Sequence, residues 1–278
     1  MRFGLDVAQQ RLEWDEVVER TRFAEDLGFD GAWGFDHFVP MYGEGPGNCF
    51  DGMTTVAALA AATSRIRLGV LVAGVTYRHP SIMANQALTI DHASHGRLEL
   101  SIGAAWFEKE HSQLGIDFSS TSARFDLLED QLEIFKRLFT GEVVSYQGHR
   151  VSLDNAQMRP MPVQLPHPPI WIGGSGRRRT LPLVARYADA WHTWPGEDYQ
   201  ALVAEVDRLC EANGRDPAAV LKASSISFSG SLDHTLRKVE ELRSVGVGYL
   251  ICEWPDQGRQ RIEVYAPRLL AEFSEGAD

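Results

Sequence analysis

The feature that most constrains this chain is a two-part unit that recurs along it. A short apolar run of strand length is followed by a longer run whose apolar residues fall at helical spacing. Residues 3–7 form the first such strand. Trp14, Val17, Val18, Thr21, Ala24 and Leu27 then keep the helical period, and Gly28 supplies a stop. Residues 31–35 read as the second strand, residues 54–63 as an Ala-rich helix and IRLGVLVA at 66–73 as the third strand. That run is apolar on both alternating faces, as strands are in a parallel sheet covered by helices. The pattern continues with helix 81–93, strand 98–102, helix 123–139, strand 170–172, helix 178–187 and strand 190–192. Helix 199–212, strand 221–228, helix 232–245, strand 249–252 and helix 261–273 complete it. Eight strands in strict alternation with eight helices predict a parallel sheet with right-handed crossovers. Eight units in 278 residues favour a closed (β/α)8 TIM barrel over an open, doubly wound sheet. No low-complexity linker divides the chain, so residues 1–278 are read as one barrel domain.

Two insertion segments interrupt the alternation. Residues 39–52 (VPMYGEGPGNCFDG) are rich in Gly and Pro and follow the second strand, where barrel loops form the mouth, so they are a candidate lid. Residues 143–161 read as a hairpin turning at Gln147–Gly148, followed by a proline-rich return. This segment precedes a strand and is expected away from the mouth.

Charge and cysteine usage exclude several functions. With 27 Lys+Arg against 38 Asp+Glu the net charge is −11, which disfavours a nucleic-acid partner. Cys49, Cys210 and Cys252 are odd in number and share no CxxC spacing, which argues against a disulfide framework or a zinc site and for a reducing cytoplasm. MRFGLDVAQQRLEW has no apolar stretch of the kind a secretory leader needs, and no uncharged run is long enough to span a bilayer. No HxH pair follows the first strand and neither HExxH nor GxSxG occurs, so a metal-dependent barrel hydrolase and a serine hydrolase lack their usual residues. His92 and His95 close a helix before Gly96 and read as a capping region.

Other residues do point to chemistry. Asp36 and His37 stand directly after the second strand, where a histidine beside a carboxylate is placed for proton transfer or for structural hydrogen bonds. Gly173, Gly174, Ser175 and Gly176 follow a strand and open a helix. Backbone N–H groups there can approach a phosphate, and Arg177, Arg178 and Arg179 come next. The run is not G-x-G-x-x-G, so it does not imply NAD. Gly74 leaves the third strand where a bulge or an ordinary turn would serve. Gly103, Ala104 and Ala105 precede Trp106, which makes either a flat ledge for an aromatic ligand or a cover for the barrel end.

Four stretches together resemble the bacterial luciferase-like flavin monooxygenase superfamily, in its branch of coenzyme F420-dependent oxidoreductases. They are AEDLGFDGAWGFDHF (24–38), ATSRIRLGVLVAGVTYRHP (62–80), GRLELSIGAAWFEKEH (96–111) and PPIWIGGSGRRRTLPLVARYADAWH (168–192). The resemblance implies a luciferase-like barrel with insertions and assigns roles at the matching positions. Asp36 and His37 lie beside the deazaflavin ring, with His37 handling a proton. Gly74–Val75 is the bulge with a non-prolyl cis peptide, and Gly103–Ala104–Ala105 lines the ring. Gly173, Gly174, Ser175, Gly176 and Arg177 hold the cofactor phosphate, while Trp106 and Trp191 contribute to the substrate wall. The chain departs from the pattern in having Trp106 where some F420 dehydrogenases have a proton-donating glutamate, with Glu108 and Glu110 nearby.

The implied activity is hydride transfer between F420 and a small organic substrate. One rival is an FMN-dependent monooxygenase using oxygen and flavin reduced by a partner reductase; another is a non-catalytic flavin-binding protein. The resemblance also implies a homodimer paired through helices flanking the second and third strands.

Overall fold

The computed structural model describes residues 1–196 and 198–274. In chain order the elements begin with β1 (Arg2–Asp6), α1 (Trp14–Leu27), β2 (Gly31–Gly34), α2 (Gly52–Ala62), β3 (Arg67–Val70), β4 (Ala73–Gly74) and α3 (Pro80–Ala93). Next come β5 (Leu98–Gly103), α4 (Glu108–Leu114), α5 (Thr121–Leu138), β6 (Val144–Gln147) and β7 (Ser152–Ala156). The chain continues with β8 (Ile170–Gly173), α6 (Thr180–Tyr187), β9 (Ala190–His192), α7 (Tyr199–Ala212), β10 (Leu221–Ile226), α8 (Leu232–Ser244), β11 (Val247–Cys252) and α9 (Arg259–Phe273).

Parallel pairing runs β1–β2–β3–β5–β8–β9–β10–β11 and returns to β1, which closes an eight-stranded barrel. Phe3 and Leu5 on β1 alternate with Gly4 and point to the helical layer, where Val17, Thr21 and Ala24 form the buried stripe of α1. Helix starts follow local chemistry: Asp51 caps α2 through the Thr54 amide at 2.8 Å, and Ser120 and Ser231 cap α5 and α8 in the same way. Pro80 occupies the first turn of α3, where its missing N–H costs nothing.

The lower barrel is filled rather than hollow. Trp33, Trp171 and Tyr249 meet edge to face with ring centroids 4.7–6.0 Å apart. Their polar atoms are satisfied: Trp33 Nε1 donates to Tyr249 Oη at 3.0 Å and Trp171 Nε1 to Glu99 at 2.6 Å. Glycines on facing strands make the room. A Cβ on Gly4 would stand 2.5 Å from Trp33 Nε1, and one on Gly69 would stand 2.7 Å from the same indole. With the floor closed in this way, the open volume lies at the C-terminal ends of the strands.

Three expectations need correction. Helix α4 was not foreseen. The hairpin β6–β7 exists, but its turn lies at 148–151, closed by Gly148 N donating to Val151 O at 3.0 Å. It docks on α5, where Asp130 accepts from the amides of His149, Arg150 and Val151. The segment 39–52 is not a lid over the mouth cavity, because none of its residues lines that cavity. Arg11 bonds the carbonyls of Tyr42 and Gly45, and Gln10 pairs with Cys49, so the segment is tied to the β1–α1 connection. Among the described residues no helix is long and apolar enough to cross a membrane.

Candidate active site

A cavity of about 340 Å³ opens at the C-terminal end of the barrel, bounded by the loops after β2, β4, β5, β8 and β9 and by the start of α5. His37, buried at 8 % exposure, reaches it from the loop after β2. Its Nδ1 meets Glu110 Oε1 on α4 at 2.5 Å, and Glu110 Oε2 accepts from the Phe38 amide at 2.8 Å. Tyr77 donates its hydroxyl to the same carboxylate and stacks on His111, whose imidazole bonds Thr76 and the Phe107 carbonyl. Burial pushes the Glu110 carboxyl up, but the bonds from His37, the Phe38 amide and Tyr77 outweigh it and hold it below the usual carboxylate range. An ionised Glu110 therefore fixes the ring with Nδ1 as donor and leaves Nε2 with no partner among the described residues.

Asp36 also borders the cavity, but its carboxylate is committed. It takes a two-pronged pair from Arg78 at 2.6 and 2.9 Å and accepts from the Gly74 amide at 3.1 Å. Arg78 bridges on to Asp51, the cap of α2. Burial raises the Asp36 pKa against the pull of Arg78. Its place in the structure is to lock the turn that carries His37 to β4.

The non-prolyl cis peptide is Leu71–Val72, three residues before the expected Gly74–Val75. Gly74 lines the cavity, whereas Val75 is 1 % exposed and belongs to the core. Val72 stands between β5 and β8: a Cβ on Gly103 would lie 2.7 Å from its Cγ2, and one on Gly173 would lie 2.8 Å from its Cγ1. Those two glycines thus admit a protein side chain to the cavity wall, beside Ala104 and Ala105. Trp106, 64 % exposed, lines the same cavity, edge-on to His37 at 5.8 Å.

At the other end the cavity meets Gly173, Gly174, Thr180 and Arg124. Arg124 Nε donates to the Ala104 carbonyl at 3.0 Å, and its guanidinium lies 3.8 Å from the Phe118 ring centre. Among the described residues no carboxylate lies within ion-pair distance of it, and burial pulls its pKa down. Ser175, Gly176 and Arg177 are exposed and outside the lining, and Arg177 pairs with Asp198 at 3.3 Å. Trp191 does not reach the cavity either. On β9 the period of two sends Ala190 and His192 inward and Trp191 outward, where its Nε1 bonds the Gly174 carbonyl at 2.7 Å. His192 does line the cavity, and burial pushes it down to about 3.

A family model described as luciferase-like monooxygenase matches residues 1–243. The chain belongs to the luciferase-like monooxygenase family. Within that family it is 29 % identical over 245 residues to an F420-dependent glucose-6-phosphate dehydrogenase of Microbacterium testaceum, covering 86 % of this chain and 71 % of that one. It is 28 % identical over 211 residues to an FMNH(2)-dependent dimethylsulfone monooxygenase of Pseudomonas putida, covering 74 % of this chain and 57 % of the relative. A solved F420-dependent secondary alcohol dehydrogenase, in complex with an F420-acetone adduct, superposes with a TM-score of 0.84. That likeness covers 96 % of this chain and 97 % of that one at 16 % identity, and it shows the fold. This luciferase-like protein is an enzyme of the oxidoreductase class, and its relatives include F420-dependent and FMN-dependent enzymes.

Cavity or network residues that the sequence did not single out include Val72, Tyr77, Arg124, Thr180, His192 and Trp194, and Glu110 was noted without a role. Arg124 carried a usable signal. It lies in the first turn of α5, where a cation opposes the helix dipole and needs another reason to be there. His192 could have been read from the inward period of β9.

Proposed function

We propose that this enzyme transfers a hydride between coenzyme F420 and a small organic substrate, with His37 moving the accompanying proton. The observation that carries the reading is the cavity's polarity. It runs from a carboxylate-held imidazole at one end to an arginine without a carboxylate partner at the other, past a wall of Val72 and small residues. The donor set fits a flat redox cofactor with an anionic tail. Arg124, the Thr180 hydroxyl and the loop at Gly173–Gly174 would hold a phosphate, and Val72, Ala104 and Ala105 would support the ring. When bound, the deazaflavin supplies the redox chemistry itself. His37 Nε2 holds or delivers the proton at the substrate's reacting oxygen or carbon, while Glu110 and Tyr77 keep the imidazole oriented. Trp106 and Trp194 cover the mouth and limit water.

The deciding experiment is a side-by-side titration of the purified protein with F420 and FMN, followed by anaerobic turnover with the cofactor that binds. F420 should bind at least about tenfold more tightly, a difference of about 1.4 kcal/mol. Tighter binding of reduced FMN, with oxygen uptake and a hydroxylated product when a flavin reductase is supplied, would replace this reading with that of a monooxygenase.

A further inference from the structure

A second cavity, of about 620 Å³, adjoins the first at the ends of β10 and β11 and runs between α7 and α8. The two share a wall. Trp194 lines both, and His192 of the first cavity bonds Ser225 Oγ of the second at 2.9 Å. The far loop is built rather than slack: Arg261 donates to the carbonyls of Phe228, Ser229 and Gly230, and Tyr265 Oη donates to Gly230 O at 2.8 Å. These bonds hold the loop from behind and spend the arginine there, outside the cavity lining.

Two features of the lining point to an occupant. Thr235, 1 % exposed, borders the cavity, and among the described residues its Oγ1 has no hydrogen-bond partner. A buried hydroxyl left unpaired is costly, and a ligand's polar group would satisfy it. Glu253 also borders the cavity, and among the described residues it has no cation within ion-pair distance. Lys238, the cavity's one lysine among the described residues, is already paired to Glu241 at 2.8 Å. Asp6 stands close enough to feel Glu253. Burial above all, then the Glu253 charge, push the Asp6 carboxyl up to about 6 against the Ala8 amide. Glu253, with no ion-pair partner among the described residues, repels an anionic group on this side and attracts a cationic one.

We propose that the second cavity receives the non-reacting arm of the substrate, an apolar arm ending in a protonated amine, with Glu253 as its counterion and Trp194 as the shared wall. Calling the arm a substrate's rests on the function proposed above; the amine selectivity of the cavity does not.

The test uses the full chain, with and without F420, and three matched probes: 4-phenylbutylamine, 4-phenylbutan-1-ol and 4-phenylbutyrate, titrated by calorimetry. The amine should bind at least about tenfold more tightly than the carboxylate, with the alcohol between them. Glu253→Gln should shrink the amine-to-carboxylate ratio to under about threefold while leaving the alcohol nearly unchanged. Thr235→Val, a near-isosteric change, should weaken the amine and the alcohol by about threefold or more. Equal or tighter binding of 4-phenylbutyrate, or an amine preference untouched by both variants, overturns the proposal. Amine selectivity in a protein that fails to bind F420 keeps this cavity and removes the cofactor reading; F420 binding without amine selectivity does the reverse.

Discussion

Two histidines face the same cavity from opposite sides of the barrel, and their surroundings differ in one respect. His37, after β2, has a buried carboxylate on Nδ1, and that carboxylate is held by two further donors. His192, on β9, is four strands away around the closed barrel; among the described residues its one side-chain hydrogen bond is to the Ser225 hydroxyl, and its ring meets Trp194 edge-on. A carboxylate partner lets an imidazole carry charge without leaving it uncompensated, whereas a hydroxyl does not. The comparison sets an imidazole braced by a carboxylate, the group proposed to move the proton, against one that burial keeps neutral.

The largest effect should come from breaking the first member of this pair. His37→Ala is expected to lower kcat by about 10²–10³-fold, the usual worth of a positioned acid or base, with cofactor affinity within about threefold of wild type. His192→Asn should cost less than about tenfold in kcat, since that ring contributes shape and not proton transfer. Stopped-flow reduction of bound F420 measures both. A His192 variant as slow as the His37 variant would erase the distinction.

A smaller effect tests the opposite end of the cavity. Arg124→Ala should weaken F420 binding by about 10–100-fold, as expected for loss of a charge-assisted hydrogen bond of about 1.5–3 kcal/mol. Arg177→Ala should change it by less than about twofold, because an exposed pair such as that with Asp198 is worth little. Fluorescence titration with F420 reads both, and the reverse ranking would move the anion site back to the exposed loop.

Arg177 and Arg124 also show what a sequence discloses. The barrel was legible because strands covered on both faces must be apolar throughout, and IRLGVLVA is such a run. GGSGRRR drew attention because its arginines adjoin glycines along the chain. In space that loop turns Arg177 to Asp198 and Arg179 to Asp126, while the cavity takes its cation from α5, some fifty residues earlier. Helix α4 was illegible for a related reason. EKEHSQL has no apolar stripe to reveal a helical period, and it is anchored by polar bonds of Glu110 and His111 to other segments. Long-range polar contacts leave no periodic trace. The cis peptide at Leu71–Val72 was placed three residues late because Gly74 looked like the permissive residue, whereas the glycines that admit Val72 are Gly103 and Gly173 on neighbouring strands.

The smallest effects concern pH and stability, and here His192 meets a group of opposite sign. The unfolded chain protonates His192 near 6.5, while the folded chain resists until about 3. Between those values the unfolded state binds more protons, so stability falls as pH drops, by at most about 1.4 kcal/mol per pH unit. Asp6 acts the other way: its folded value of about 6 lies above its unfolded 3.8, so the folded state binds the extra proton and gains stability as pH falls through 6. His192→Asn should therefore raise the urea midpoint relative to wild type at pH 4.5 more than at pH 7. Asp6→Asn should stabilise at pH 7 by on the order of 1 kcal/mol, an amount reduced by partial exposure, and the gain should vanish near pH 4. If the His192 variant instead tracks wild type at every pH, its imidazole already takes up a proton in the folded protein. The two histidines would then differ in position alone, and not in the charge their surroundings allow.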